Sequence, residues 1–587
     1  METKILSKGD SYKSEYCCSI IKIGEIKPIE GKDKIGYTLV NGETIVVRKD
    51  QVKEGDILIY ASNETQLEKD FLSANNLFES SSFELNSNAS EVEPYVLKNR
   101  ELKGKVENIE KAMKKLLVCS KFMIDYESLY LAAESEDEKK ELDTRLDNSR
   151  KTVIKYIGSS VNENSTLKDY VLESQKYCAE KKIEIDSLNS EIEGNADFIR
   201  SHTGFFNKTG RVRAIRLGGV QSMGYLFNLD ELARYNPNVR DINLEEYVGE
   251  DFDTVDGKLF VKAYVPYVPE RRTSSKSEKR NKKIKRFNRM IEGEFSYHYD
   301  TQPLAKCINR IKPTDCVSIT YKIHGTSVII GKLHVKQPLK LPLHKWLWNK
   351  FIDITGLFKS KRIIDYTVEY GNVTSSRTVI KNQYINMNVT EGYYGVDIWS
   401  EYGNLIYPYL DEGMTVYGEI FGYLTDSDKM IQEQYDYGCE VGKNKMMVYR
   451  ITTTNENGTK REWEISEVKE WTERLVKEHP EIADRIHVID VLYHGTLQDL
   501  YPELSLTEHW HENVVANLRN EKKRFHMETN DPICKNKVPF EGIVLRIDGD
   551  EIKEAFKLKC EKFLSKERKD MDEGNVDIEM VLCSPWR

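Results

Sequence analysis

Lys322 stands in the run Lys322-Ile323-His324-Gly325-Thr326-Ser327, directly after the alternating stretch Cys316-Val317-Ser318-Ile319-Thr320-Tyr321. A lysine at a strand end, followed by a glycine turn and a second strand, holds an amine at a tight bend. Gly325 permits the close backbone approach that a bound ligand needs. A lysine amine ordinarily titrates near ~10.4, so it attacks as a nucleophile only where its surroundings free the lone pair. Lys-x-x-Gly is weak by itself. It gains weight from Glu419 in Val416-Tyr417-Gly418-Glu419-Ile420-Phe421-Gly422 and Glu541 in Phe540-Glu541-Gly542-Ile543-Val544-Leu545-Arg546. Lone glutamates inside apolar β stretches are costly to bury unless they bind a metal or a ligand. Lys557 and Lys559 share one face of a strand, where two cations can hold a phosphate.

Two other groups of residues carry less. His509-x-His511 has no third ligand nearby, and a surface helix is expected there. Leu339 to Phe358, with Trp346, Trp348 and Phe351, is expected to be an amphipathic helix packed on its domain.

The elements that must position these groups fall into three parts. Residues 16–95 read as short strands: Ile20–Ile23, Tyr37–Val40, Thr44–Val47 and Ile57–Tyr60. Asn41-Gly42 marks a tight hairpin turn. From about 96 to 200 apolar residues recur three or four apart, as in Met113, Leu116, Leu117 and Met123, and predict two or three long helices folded back as a hairpin. A helix of ~45 residues reaches ~65–70 Å. A solvated spacer and an arm for an unknown partner both stay open. Strand character returns at Arg211–Leu217 and closes at Leu259–Val268, so the expected fold is a small barrel split by a helical insertion. Residues 271–289 hold ten Lys/Arg against one acid, Glu278, a basic linker suited to phosphates. From Thr301 the pattern is mixed α/β, with a helix expected from an N-cap at Ser466 to Glu478 and Pro480 beyond its end.

The chain's 587 residues exceed a single core. Hydrophobic residues at 39% and aromatics at 10% exclude a disordered chain. The net charge of -9 excludes a uniformly basic coat for nucleic acid but not a local basic surface. No apolar run reaches ~18 residues, so no membrane span is expected, and Met1-Glu2-Thr3-Lys4-Ile5 lacks the apolar run of a signal peptide. Ten scattered cysteines without a C-x-x-C pair predict reduced thiols in a cytoplasm and no zinc.

The ordered set Lys322, Glu419, Glu541, Lys557 and Lys559 resembles the collinear motifs of covalent nucleotidyltransferases: RNA ligases, DNA ligases and capping enzymes. It is most similar to the Deinococcus-type RNA ligases, which carry an N-terminal OB-fold module. The likeness extends to Gly210–Leu226, His298-Tyr299-Asp300-Thr301, Ser375-Ser376-Arg377-Thr378-Val379-Ile380-Lys381-Asn382, Tyr435-Asp436-Tyr437-Gly438, Asn63-Glu64-Thr65-Gln66 and Asn75-Asn76. It covers roughly residues 10–95 and 200–587.

The resemblance implies an α+β protein. An OB-like module spans residues 1–270, with the insertion at 96–200, and a basic linker spans 271–300. An ATP-grasp-like adenylation domain of antiparallel sheets spans 301–587. It implies an ATP-dependent RNA ligase, active in RNA repair, that seals 3′-OH/5′-phosphate breaks, chiefly nicks in a duplex. Lys322 would form a lysyl–AMP adduct. Glu419 would bind ribose or metal, and Glu541 would hold a divalent ion, Mg2+ or Mn2+. Lys557 and Lys559 would grip the AMP phosphate. Tyr321, Ile323, Gly325 and Arg377 would complete the nucleotide site, with Tyr449 against adenine. Tyr321 stands where the family commonly has an acidic residue. RNA is the expected partner, without membrane contact, and a monomer is expected. A DNA ligase, a guanylyltransferase and a non-catalytic RNA-binding relative remain the alternatives.

Overall fold

The computed structural model describes residues 5–9, 15–265, 288–299, 301–381, 394–455, 457–504, 507, 510–549 and 553–572. Most of the basic linker, Asp300, Asn382 and His509 lie outside these residues.

In the N-terminal part, β1 (Cys18–Lys22), β2 (Lys32–Val40), β3 (Glu43–Arg48) and β4 (Ile57–Ser62) follow the expected strands. Asn41 and Gly42 turn β2 into β3 with φ of 52° and 76°. That double positive φ is what a two-residue hairpin of this hand demands. Long helices follow: α1 (Ala89–Ala132), α2 (Glu136–Ile157) and α3 (Leu167–His202). Then come β5 (Gly224–Phe227) and β6 (Asp251–Phe252). One sheet has the order β5-β4-β1-β6, so strands from either side of the helices pair with each other. The helices thus stand between strands that belong to one sheet. The expected barrel, however, is not closed among the described residues: its strands lie in separate open sheets of two to four strands. Many strands here are two or three residues long, too short to carry a continuous ladder.

The helical insertion begins at Ala89 rather than near 96, with Pro94 at its sixth position, where the missing N–H leaves the Ser90 carbonyl without its intrahelical partner. Asn195 Nδ2 donates to Asn99 Oδ1 at 2.9 Å, and Tyr95 stacks on Phe198 at 3.9 Å. Those contacts lay α3 antiparallel along α1. Ser135 with Glu138 and Thr166 with Asp169 form capping boxes that start α2 and α3. The three helices bury their own core of Leu116, Phe122, Met123, Leu146, Val153 and Tyr170. Strand character after the insertion is shorter than expected, with Arg211 contributing only an isolated bridge to Gln66.

The C-terminal part rests on two sheets. The strands are β7 (Gln302–Pro303), β8 (Cys316–Tyr321), β9 (Thr326–Pro338), β10 (Tyr366–Ser376), β11 (Met414–Gly422), β12 (Asn444–Thr454), β13 (Lys460–Glu462), β14 (Val491–Thr496), β15 (Gly542–Ile547) and β16 (Ala555–Lys559). One sheet runs β7-β16-β15-β8-β14 and the other β10-β9-β11-β12-β13. Apart from the parallel edge strand β7 and the parallel pairing of Ile486–Val488 with β12, these ladders are antiparallel. A single core joins them, through residues such as Ile319, Val328, Trp399, Ile420, Val448 and Phe556.

Two helices depart from expectation. The one ending at Glu478 starts at Ile465, capped by Glu464 and Glu467 rather than by Ser466. Helix α4 (Leu343–Thr355) joins β9 to β10, but it is not packed on the domain by its apolar face: Leu343 and Ile354 are 71% and 75% exposed.

A buried ion pair links the two parts. Arg519 Nη2 donates to Glu43 Oε1 at 2.9 Å, and the Tyr60 hydroxyl donates to Glu43 Oε2 at 3.4 Å.

Candidate active site

Strand register, more than loop geometry, assembles the site. In the pairing of β8 with β15, Tyr321 lies opposite Ile543, and the next residue, Lys322, donates its N–H to Gly542 O at 3.0 Å. This sets Lys322 beside Glu541, and its Nζ lies 2.7 Å from Glu541 Oε1. Gly542 has φ of 148°, and a Cβ there would meet Leu558 O at 2.2 Å. Only glycine lets β16 come this close. In the next ladder Gly542 pairs with Lys559 and Val544 with Lys557, so both lysines stand on one face while Leu558 between them is buried.

Gly325 turns the chain from Lys322 into β9, where Ser327 pairs with Glu419 on β11. A Cβ at Gly325 would lie 2.3 Å from Ile420 O and 2.9 Å from Glu419 Cγ. The glycine is therefore what brings the second carboxylate's strand beneath the lysine turn. Between β11 and β12 the register slips at Tyr417/Gly418. Tyr417 pairs with Arg450 and Gly418 with Val448, leaving Tyr449 as the extra residue of a bulge. Bulges re-aim side chains. The Tyr449 hydroxyl lies 3.0 Å from His298 Nδ1 and 3.4 Å from Ser327 Oγ.

The functional side chains among these line one cavity of about 270 Å³, between the two parts of the chain. Every residue that the resemblance assigns to the catalytic and nucleotide site borders it: Tyr321, Lys322, Ile323, Gly325, Arg377, Glu419, Tyr449, Glu541, Lys557 and Lys559. Tyr321 and Ile323 are buried, at 3% and 4% exposure. The Tyr321 hydroxyl donates to the Asp531 carboxylate, which ties it into the core where a nucleotide-binding role was expected. Lys559 Nζ is held 2.7 Å from Glu567 Oε1. Burial alone would raise the Glu567 carboxyl, but Lys559 and more distant cations bring it below its usual range.

Several neighbours of the site carry no sequence signal. Lys306, half-buried in the same cavity, lies 3.7 Å from the Tyr16 ring centroid and donates to Asn63 O at 3.2 Å. Burial pushes its ammonium down to about 8, against the pull of Glu43, Cys17 and Glu64. Gln432 Nε2 donates to Gly325 O at 2.8 Å, and the His324 N–H donates to the Tyr437 hydroxyl at 2.7 Å, so the lysine turn is braced from two sides. Tyr437 belongs to a motif read from the sequence; Lys306 and Gln432 do not. From the N-terminal part, Glu64 reaches the cavity wall paired to buried Arg211 at 2.6 Å.

A divalent cation fits this donor set. Glu541 is 2% exposed, and its Oε2 is buried with no hydrogen-bond partner, an orphaned acceptor in a carboxylate already paired through Oε1. Oxygen donors of this kind suit hard ions such as Mg2+ and Mn2+.

No protein-family model matches the chain, and no curated protein matches it. Among solved structures, a Naegleria gruberi RNA ligase mutant with AMP and Mn is similar at 12% identity and a TM-score of 0.43, covering 94% of this chain and 99% of that one. The same ligase with PPi scores 0.40 at 12% identity, covering 94% and 99%. A further mutant with ATP and Mn scores 0.41 at 12% identity, with the same coverage.

Proposed function

We propose that the protein is an ATP-dependent RNA ligase that joins a 5′-phosphate to a 3′-hydroxyl at breaks in duplex RNA. The observation that carries this reading is the Lys322–Glu541 pair at 2.7 Å, inside a cavity that also gathers Glu419, Arg377, Lys557 and Lys559. A lysine nucleophile, two carboxylates and a cation pair form the set that nucleotidyl transfer to an amine requires.

In this reading Lys322 Nζ attacks the α-phosphorus of ATP, forming a P–N bond as the bond to pyrophosphate breaks. The nucleotide monophosphate then passes to an RNA 5′-phosphate, and the 3′-hydroxyl displaces AMP. Each step is an in-line displacement at phosphorus, where positioning and charge supply most of the rate. Lys557 and Lys559 neutralise charge on the equatorial oxygens, and Arg377 holds phosphate. Tyr449, aimed by its bulge, packs on adenine. Glu541 and Glu419 would hold the divalent ion, which supplies charge neutralisation at the transferred phosphate when bound.

The N-terminal part, an OB-like module in this reading, closes the cavity's far wall and grips the nucleic acid together with the basic linker. The nine described cysteines are free, and no described helix is long and apolar enough to cross a membrane. We place the enzyme in a reducing cytoplasm on the first of these grounds.

Incubation with α-labelled nucleotides tests the assignment. ATP should label the protein; labelling by GTP instead would make it a guanylyltransferase. Nicked duplexes with RNA or DNA on the 3′-hydroxyl side then test the substrate, because equal sealing of all-DNA nicks would defeat the RNA assignment.

A further inference from the structure

A second cluster of metal-binding side chains lies at the opposite end of β8 from Lys322. Cys316 opens β8, His494 sits on β14 opposite Ser318, and Asp548 directly follows β15. The Asp548 N–H donates to Cys316 O at 2.9 Å, which fixes the end of β15 against β8, and Cys316 pairs with Thr496 on β14. Cys316 Sγ lies 3.7 Å from His494 Nε2 and 3.8 Å from Asp548 Oδ2, and Nε2 lies 3.0 Å from Oδ2. Tetrahedral zinc, with Zn–S near 2.3 Å and Zn–N and Zn–O near 2.0–2.2 Å, sets its ligand atoms about 3.4–3.6 Å apart. The observed triangle is therefore close to one face of such a tetrahedron.

A hydrogen-bonded relay explains the cluster poorly. In a relay the carboxylate and the thiol contact different ring nitrogens. Here both converge on Nε2, which carries at most one proton. The Asp548 side chain is 7% exposed, and its Oδ1 is buried without a hydrogen-bond partner. A cation capping the triangle takes a lone pair from each of Sγ, Nε2 and Oδ2, which one shared proton cannot do, and sets its charge beside the buried carboxylate.

We propose that Cys316, His494 and Asp548 bind one Zn2+ per chain, with water as the fourth ligand. The thiol proton leaves to solvent as sulfur takes the metal, and the neutral imidazole and the carboxylate supply their lone pairs. Thiolate and imidazole together select Zn2+ or Co2+ over the hard ions that suit Glu541. The ion rivets β14, β8 and β15 at one end and so steadies the strand that carries Lys322 at the other. The ligands are separated by 178 and 54 residues, which is why the cysteine spacing predicted no zinc.

Metal-free protein titrated with Co2+ tests this. We expect one equivalent to bind with a thiolate-to-cobalt charge-transfer band, and Zn2+ to displace it. Removing a zinc ligand should cost more than the 10–100-fold that outer-shell partners are worth, so Cys316→Ser and His494→Gln should each weaken Zn2+ binding by about 100-fold or more. Glu541→Gln should retain it. Absence of the band in the wild type, or equal Zn2+ binding by the wild type and both variants, would overturn the proposal.

An independent observation concerns α4. Its buried face is small: Asn349 bonds both ways with Ile363, at 2.8 and 2.9 Å, and Ile352 packs beneath. Its apolar residues Leu343, Trp346, Leu347, Phe351 and Ile354 are exposed instead, and Phe358 extends the patch. Lys345, Lys350, Lys359 and Lys361 rim this surface, whereas nearby Asp353 and Asp365 are both paired to Arg362. An apolar face with a cationic rim is complementary to an anionic lipid surface, where aliphatic side chains bury and lysines reach the headgroups. RNA offers no comparable place for Leu343 and Ile354.

We infer that α4 lies on anionic membranes, contrary to the sequence expectation. Co-sedimentation should show binding to phosphatidylserine–phosphatidylcholine vesicles and little to phosphatidylcholine alone. Leu347→Glu with Ile354→Glu should cut the bound fraction about tenfold and leave adenylation intact. Equal sedimentation of wild type and variant would overturn the inference. So would a variant defective only in RNA binding or in self-association.

Discussion

Lys322 Nζ and Glu541 Oε1 lie 2.7 Å apart although 219 positions separate the two residues in the chain, because β8 and β15 are neighbours in register. The same ladder continues into β16 and sets Lys557 and Lys559 on the adjoining wall. The Lys322 amine, the Glu541 carboxylate and the Lys557/Lys559 cation pair are thus carried by three consecutive strands of one sheet, and Glu419 is brought up by the other.

The turn after the lysine tolerates no side chain. Gly325→Ala would place a methyl group 2.3 Å from Ile420 O, a backbone atom that cannot swing away. We expect adenylation to fall by at least about tenfold, with destabilisation of about 1–3 kcal/mol from the forced shift of β11. Labelling with α-labelled ATP and urea unfolding check the two effects separately.

Tyr449 owes its direction to the bulge at Tyr417/Gly418. If it stacks on adenine, Tyr449→Ala should raise KM for ATP by about 10–100-fold, and Tyr449→Phe should change it little. A large loss in kcat with an unaltered KM would mean that the ring serves the chemistry rather than the base.

The two parts of the chain depend on Glu43–Arg519. Both side chains are largely buried, at 12% and 5% exposure, so removing one strands the other. Glu43→Gln should cost about 3–5 kcal/mol, and Glu43→Gln combined with Arg519→Met should recover part of that loss. Denaturant unfolding of the four proteins gives the coupling.

Lys306 makes stability depend on pH. Burial lowers its ammonium from the ordinary 10.5 to about 8, so between these values the unfolded chain binds the extra proton. Stability from this group is therefore gained as the pH rises from about 8 toward 10.5, by about 3 kcal/mol at full extent. Lys306→Met should remove that rise. The difference between wild-type and variant unfolding free energies at pH 7.5 and 9.5 isolates it from the cysteines and tyrosines that titrate higher.

Much of this was legible where one residue type meets one backbone requirement. Asn41-Gly42 announced its hairpin because few other pairs accept two positive φ values, and Lys322, Gly325, Lys557 and Lys559 were legible because strand alternation fixes their faces. The start of α1 lies before the expected position because Pro94 reads as a boundary, whereas the helix runs through it in its second turn. Ser466 looked like a cap, but Glu464 does the capping two residues earlier. Helix α4 reads as an ordinary packed amphipathic helix, since periodicity shows a face without showing which way it points. Lys306, Gln432, Asp531 and Arg519 could not be found at all, because their partners are set by tertiary contact and no local pattern marks them.

Peptide mapping of the adduct formed with ATP and a divalent ion tests the central claim most directly. A single AMP group on Lys322 through an acid-labile P–N bond, absent in Lys322→Ala while the fold is kept, is the predicted result. An adduct on another residue, or persistent labelling of Lys322→Ala, would contradict it.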